Sequence, residues 1–369
     1  MADIPIIRPT LPDFDEIEPA LREIWAAGMV TTSRNVRSLE EEAAGFAGVA
    51  EAVAFSSCTS ALILALKGME LEGEVVMPSF TFAATAHAAV WSGLTPVFCD
   101  CLPDTFTIDP LSIEAALTER TSAIMPVYTF GLPPDFGPIL EIARANSLAV
   151  VTDAAQGWGS TYGGRTAGGF GDAECFSMSP TKVVTAIEGG LLLTGDGDLA
   201  GRLRRLRDYG KDAGGEDMEW IGLSARMSEL HAAVGRATIA RTAEFVGRRR
   251  ELLARYRALL DGVPGLSFQE TPEGRESSGN YMVVVVDPDE AKTDRDGLRA
   301  GLLEHGIHTK RYFYPPVHAQ SAYRGVGRAA GPLPATDAAG ARALALPLYT
   351  HMAQATLEQV ALTVRELLE

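Results

Sequence analysis

Leu148-Ala149-Val150-Val151 runs into Thr152-Asp153-Ala154-Ala155-Gln156-Gly157, and a little further on Ala173-Glu174-Cys175-Phe176 runs into Ser177-Met178-Ser179-Pro180-Thr181-Lys182. Short apolar runs bounded by Gly and Pro read as strands buried on both faces, as in a parallel sheet. Ligands of open α/β sheets gather beyond the carboxyl ends of such strands. The two runs therefore bring one acid, Asp153, and one lysine, Lys182, to the same crevice.

Upstream, Ala52-Val53-Ala54-Phe55 reads as another core strand, followed by Ser56-Ser57-Cys58-Thr59-Ser60 and a helix over residues 61–69. Small hydroxylated residues between a strand and a helix N-terminus let backbone N–H groups approach an anion. An ordinary Ser/Thr helix cap gives the same local pattern. An acid, a lysine and a phosphate cradle together describe a site for pyridoxal phosphate (PLP), whose usual protein partners are a lysine imine and an acid paired with its ring nitrogen. The chain has five lysines, at 67, 182, 211, 292 and 310, and its other basic residues are arginine. Only an amine forms an imine, so the lysine beside the acid carries the chemistry. A capping Asp153 and a solvated Lys182 would explain either residue alone, but not the pair with the cradle.

Strand and helix patterns alternate from residue 52 to the Lys182 loop, including strands at 74–77, 96–99 and 123–127 and helices at 83–91, 110–117 and 139–146. Such alternation predicts βαβ units with right-handed crossovers. Gly189-Gly190-Leu191-Leu192-Leu193-Thr194 is expected to run back antiparallel, giving a mixed sheet. Two helices, at residues 13–27 and 36–46, precede this unit. A long arginine-rich helical region covers residues 228–260, with the domain change near its middle. Strands at 266–268 and 281–286, a helix at 295–304, an extended piece at 310–314 and a helix at 356–368 follow. The expectation is an α/β protein: a large PLP-binding domain over residues 1–245, with a mostly parallel mixed sheet flanked by helices, and a smaller C-terminal α+β domain over residues 246–369. The run Arg311-Tyr312-Phe313-Tyr314-Pro315-Pro316-Val317-His318 has donors and aromatics suited to a cleft or a packed domain interface. The glycines at 163–171 precede a strand instead of linking strand to helix, so a dinucleotide loop fails on context. Asp196-Gly197-Asp198 reads as a turn.

A formal net charge of −16 disfavours nucleic acid or an anionic membrane as partner. No window reaches the length and apolarity of a membrane span, and Met1-Ala2-Asp3-Ile4-Pro5 has no secretory pattern, so a cytoplasmic location is expected. Cys58, Cys99, Cys101 and Cys175 lack zinc spacing and read as reduced, buried thiols. No metal site is expected.

With these residues in place, the chain resembles the DegT/DnrJ group of PLP-dependent sugar aminotransferases, of the aspartate aminotransferase fold type. Asp153-Ala154-Ala155-Gln156, Ser177-Met178-Ser179-Pro180-Thr181-Lys182, Glu188-Gly189-Gly190, Arg207-Asp208-Tyr209-Gly210 and Arg226-Met227-Ser228-Glu229-Leu230 occur in family order. The resemblance implies that Lys182 forms the internal aldimine, Asp153 pairs with the pyridinium nitrogen and Gln156 approaches the ring hydroxyl. Phe82 matches the aromatic that stacks on the cofactor, and Thr59, Ser60 and Ser177 match the phosphate contacts. It also implies a homodimer with shared active sites. Ser224 stands where relatives place an asparagine that reaches the partner's phosphate, and Ser179 where many carry histidine. Arg226, Tyr314 and His318 are candidate substrate contacts or packing residues. The reaction implied is transfer of an amino group from glutamate, through pyridoxamine phosphate, to the keto group of a nucleotide-linked deoxysugar. A keto-cyclitol or other specialised-metabolite ketone is the alternative acceptor. A non-catalytic PLP-fold sensor or scaffold and a PLP lyase or dehydratase are the rival classes. Relatives that dehydrate their sugar replace the lysine with histidine, and Lys182 argues against that branch.

Overall fold

Apolar stripes on two leading helices begin the chain. The computed structural model describes residues 3–369; Met1 and Ala2, the start of the N-terminal stretch considered above, lie outside the described residues. Helices α1 (Phe14–Ala27) and α2 (Arg34–Ala47) each end on a glycine in the left-handed region, Gly28 and Gly48. Glycine occupies that region without the cost a Cβ would bring. Val36, Leu39 and Ala43 of α2 pack into a core with residues from the sheet described next.

The alternation then builds β1 (Glu51–Phe55), α3 (Cys58–Gly68), β2 (Glu74–Pro78), α4 (Ala83–Trp91), β3 (Thr95–Cys99), α5 (Pro110–Ala116), β4 (Thr121–Ile124), α6 (Phe136–Asn146) and β5 (Ala149–Asp153). Short strands β6 (Thr161–Tyr162) and β7 (Arg165–Thr166) precede β8 (Ala173–Ser177) and β9 (Gly190–Thr194). Helices α7 (Gly197–Leu206), α8 (Glu229–Ile239) and α9 (Thr242–Leu260) lead to β10 (Leu266–Phe268), β11 (Arg275–Glu276) and β12 (Met282–Val286). Last come α10 (Arg295–Glu304), β13 (Arg328–Ala329), α11 (Pro334–Arg342), β14 (Ala343–Leu346) and α12 (Gln354–Leu368).

Eight strands form one sheet in the order β1-β9-β8-β5-β4-β2-β3-β13. All neighbours are parallel except β9, which runs antiparallel to both β1 and β8. The antiparallel return after the Lys182 loop is thus present, and the sheet is mixed as the sequence implies. Its central strands are buried on both faces, between α3, α4 and α7 on one side and α2, α5 and α6 on the other. A second sheet, β10-β12-β14, is antiparallel and packs with α10 and α12 around Leu298, Leu302, Leu357 and Val364. Helix α9 contributes Phe245 and Val246 to the first core and Leu252, Tyr256 and Leu260 to that of the second sheet.

Several local expectations change. Asp196 is the N-cap of α7, its carboxylate accepting from the N–H groups of Asp198 and Leu199; the same side-chain chemistry makes turns and caps. Helix α3 begins at Cys58, earlier than expected, because Ser57 and Ser60 form a reciprocal capping box. The arginine-rich region breaks between Ile239 and Thr242 into α8 and α9. The piece at 310–314 makes one bridge, Lys310 to Ala345, and no strand. The segment around Arg328, which carries no strand pattern, adds β13 to the edge of the large sheet, where Arg328 pairs with Glu74 at 2.9 Å.

All four cysteines are buried and unpaired. Among the described residues no helix is long and apolar enough to cross a membrane.

Candidate active site

Strand β5 ends at Asp153 and β8 ends at Ser177, and their pairing sets Asp153 opposite Cys175. The loop after β8 carries Lys182 back over the strand ends, and both residues line one cavity of about 310 Å³. Ser57, Cys58 and Thr59 at the N-terminus of α3 line it too, with Phe82, Gln156, Ser177, Glu188, Tyr281, Lys310, Tyr312 and Phe313.

Asp153 is 3% exposed. Its Oδ2 accepts from the Thr85 hydroxyl at 2.7 Å, and its Oδ1 from the Ala155 N–H at 3.1 Å. Thr81 joins this chain through a 2.8 Å hydroxyl contact with Thr85. Burial pushes the Asp153 carboxyl above its ordinary range; the two hydrogen bonds and the charge on Lys182 pull partly the other way. Among the described residues no cation lies within ion-pair distance of it. A buried carboxylate without a cation is costly, and a protonated ring nitrogen seated in the cavity would offset that cost. This donor set fits PLP.

The other walls fit as well. Capped by Ser57, α3 presents first-turn N–H groups and the positive end of its dipole to the cavity, a setting that favours a phosphate. Gly190 makes the approach possible: a Cβ there would sit 2.4 Å from the Cys58 nitrogen. Gln156 accepts the Phe130 N–H at 2.7 Å through Oε1, which leaves its NH₂ as the donor. Phe82, N-terminal to α4, lines the cavity with 59% of its surface exposed, an apolar face suited to stacking on a ring.

Thus Thr59, Phe82, Asp153, Gln156, Ser177 and Lys182 come together at one cavity. Ser60 is not in the lining; its hydroxyl and N–H serve the cap with Ser57. Ser224 lies away from the cavity on an exposed stretch, bridged to Asp208. Arg226 pairs with Asp208 at 2.7 Å. Tyr314 stands between the Arg295 and Arg311 guanidiniums, each 4.9 Å from its ring centre. His318 contacts Ser79 at 2.7 Å and Asp337 at 3.4 Å. The aromatic run does reach the cavity, through Tyr312 and Phe313 instead.

The residues not singled out are Thr85, Thr181, Glu188, Tyr281 and Lys310, whereas Tyr312 and Phe313 belong to the aromatic run read as suited to a cleft. Thr85 was within reach, since it sits in the first turn of α4, three residues after the predicted Phe82 at its N-cap. Tyr281 is a core residue by composition alone, and nothing local marks it. In the structure Lys182 Nζ lies 5.9 Å from its ring centre. Tyr281 also packs against Tyr312, their ring centres 4.8 Å apart.

A buried acid at one strand end and a lysine beyond the next, on one α/β sheet, is the arrangement that a PLP-dependent enzyme needs. The profile of the DegT/DnrJ/EryC1/StrS aminotransferase family matches residues 13–365. The dTDP-4-amino-4,6-dideoxy-D-glucose transaminase of Escherichia coli is 32% identical over 95% of this chain and 94% of its own. The dTDP-3-amino-3,4,6-trideoxy-alpha-D-glucose transaminase of Streptomyces venezuelae is 34% identical over 95% of this chain and 92% of its own. The crystal structure of DesI in the presence of its TDP-sugar product superposes with a TM-score of 0.94 at 37% identity, covering 99% of this chain and 93% of that one. The chain belongs to the DegT/DnrJ/EryC1/StrS aminotransferase family and is a PLP-dependent aminotransferase.

Proposed function

We propose that this chain transfers an amino group from glutamate to the keto group of a nucleotide-linked deoxysugar. The observation that carries the reading is the buried, cation-free Asp153 sharing one cavity with Lys182. The nucleotide-sugar substrates named for the transaminases of E. coli and S. venezuelae support the acceptor class.

In this reading Asp153 would pair with the PLP ring nitrogen and keep a proton there, with Thr85 holding the carboxylate in line. The Gln156 amide would face the ring hydroxyl, Phe82 would cover one ring face, and Thr59 and Ser177 would hold the phosphate, Ser60 acting only through the cap of α3. Bound PLP supplies an aldehyde that takes up the donor's nitrogen and an electron-poor ring that holds the electron pair released at carbon. With PLP bound, Lys182 is the amine that would hold the aldehyde carbon in place of a donor. Its amine would serve as the base that moves the donor's α-proton across the cavity. The same residues would serve both the amino-acid donor and the keto-sugar acceptor.

We further place the large domain at residues 1–245 and the small one at 246–369, and infer a homodimer with shared sites. The exposed apolar residues Ile221, Leu223 and Met218 near Ser224 support the pairing, because an Ile 93% exposed is left almost uncovered by the described residues. Arg226, Tyr314 and His318 would then contact substrate only from outside the single-chain cavity.

The test is the absorbance of the protein reconstituted with PLP. A yellow protein that bleaches with glutamate and recovers with a keto sugar is expected, and Lys182→Ala should lose turnover by about three orders of magnitude or more. A protein that stays colourless with PLP, or a Lys182→Ala variant with parental turnover, overturns the reading.

A further inference from the structure

Charge in the cavity is unevenly committed. Its charged lining residues are Asp153, Lys182, Glu188 and Lys310, and no arginine is among them. Both substrates of the reaction proposed above are anions. An amino-acid donor carries carboxylates, and a nucleotide-linked sugar carries a diphosphate. With Lys182 reserved for the cofactor carbonyl and the α-proton, Lys310 is the remaining cation of the described lining.

Its setting suits that use. The Lys310 backbone is fixed by two hydrogen bonds to Ala345, at 3.1 and 2.8 Å, so its side chain starts from a rigid point on the β14 edge. The ammonium lies 4.8 Å from the Tyr312 ring centre, a cation–π contact that holds the stem toward the cavity. Tyr312 packs on Tyr281 at 4.8 Å, and Tyr281 is the ring beneath Lys182. The two amines therefore flank one pair of tyrosines.

The neighbouring cation is already engaged. Arg311, next in sequence to Lys310, reaches Asp296 at 3.4 Å. No described carboxylate lies within 4.0 Å of the Lys310 ammonium, although Glu188 lines the same cavity. An ammonium is a point charge with three rotatable donors, so it accepts either a carboxylate or a phosphate without the planar match a guanidinium prefers.

We infer that Lys310 is the anion-recognition residue of this cavity, pairing with a carboxylate or phosphate group of the incoming substrate. The assignment rests on the aminotransferase reading of the site and adds to it the residue that selects charged substrates.

Lys310→Met keeps the stem and removes the charge, while Lys310→Arg restores a cation. Calorimetric titration of the PLP-loaded protein with glutarate, a dicarboxylate without an amine, and with dTDP, a diphosphate without a sugar, separates the two anion sources and needs no turnover. The dissociation constant of at least one probe should rise about tenfold or more in Lys310→Met and recover most of that in Lys310→Arg. In the matching half-reaction KM should rise by a similar factor while kcat falls less than about threefold. A change with glutarate assigns a carboxylate, and a change with dTDP a phosphate; either supports the proposal. Parental affinity for both probes, in a Lys310→Met protein with parental melting temperature, overturns it. So does a kcat loss that Lys310→Arg fails to restore with binding unaltered. Failure of the aminotransferase reading would show separately, as a parental protein whose absorbance ignores glutamate.

Discussion

Glu174 provides a test of the large sheet that is independent of catalysis. It sits in β8 with 0% of its surface exposed. One carboxylate oxygen accepts the Tyr128 hydroxyl at 3.0 Å and the other the Phe170 N–H at 2.6 Å. Burial pushes its carboxyl from 4.5 up to about 7, against the opposing pull of the Phe170 and Gly168 N–H groups, the Tyr128 hydroxyl and the charge on Arg165. The folded protein therefore holds this proton more tightly than the unfolded chain. Between those two values folding takes up a proton, so stability falls as pH rises and the loss is complete above about pH 7. A shift of that size is worth about 3 kcal/mol, of which about 2.5 kcal/mol falls between roughly pH 5 and pH 8. Glu174→Gln keeps the shape and cannot ionise. Urea unfolding of the PLP-free protein, at one protein concentration to hold association constant, gives the stability gap between the two proteins at each pH. The gap should move by about 2.5 kcal/mol in favour of Gln from roughly pH 5 to pH 8. A gap that stays constant would refute the claim that this carboxyl is protonated in the folded sheet at mildly acidic pH.

Thr85→Val removes the hydroxyl bonded to Asp153, a hydrogen bond to a charged group worth about 1.5–3 kcal/mol, and should raise the PLP dissociation constant at least about tenfold; fluorescence titration with PLP reads this directly, and parental affinity would contradict it. Gly190→Ala places a Cβ 2.4 Å from backbone atoms of Ser57 and Cys58, so α3 must shift at the phosphate end. The expected result is a loss of about 1–3 kcal/mol in urea unfolding together with weaker PLP retention on gel filtration. Glu40 is buried against Arg207, and Glu40→Ala leaves that guanidinium without a carboxylate partner at the same burial. A cost of about 3–5 kcal/mol is expected in the same assay, and a loss below about 1 kcal/mol would show that the pair contributes little.

What the sequence displayed, and what it hid, follows from the range of the interactions. Strand β5 and Asp153 were legible because a buried strand announces itself by apolar content and its end by a polar residue. Lys182 was legible because lysine is rare in this chain. Helix α7 was not, since Asp196 uses one carboxylate geometry for both a turn and a cap. The start of α3 was misplaced because Ser57 and Ser60 cap each other without the usual acidic partner. Strands β6, β7, β11 and β13 have two residues each, too few for any period. Tyr281, Lys310 and Tyr312 reach the cavity from the other side of a long chain closure, and only the register of β12 against β14 brings them to Lys182. No local pattern encodes such a meeting.

The position of β13 has a consequence for synthesis. Strand β3 acquires its outer neighbour only when residues 328–329 leave the ribosome, long after the remainder of that sheet has emerged. Until then the nascent protein carries an open flank of unpaired backbone amides and carbonyls, the kind of flank that recruits foreign strands. A chain truncated before Arg328 would keep that flank permanently, and Glu74 would lose the arginine that neutralises it.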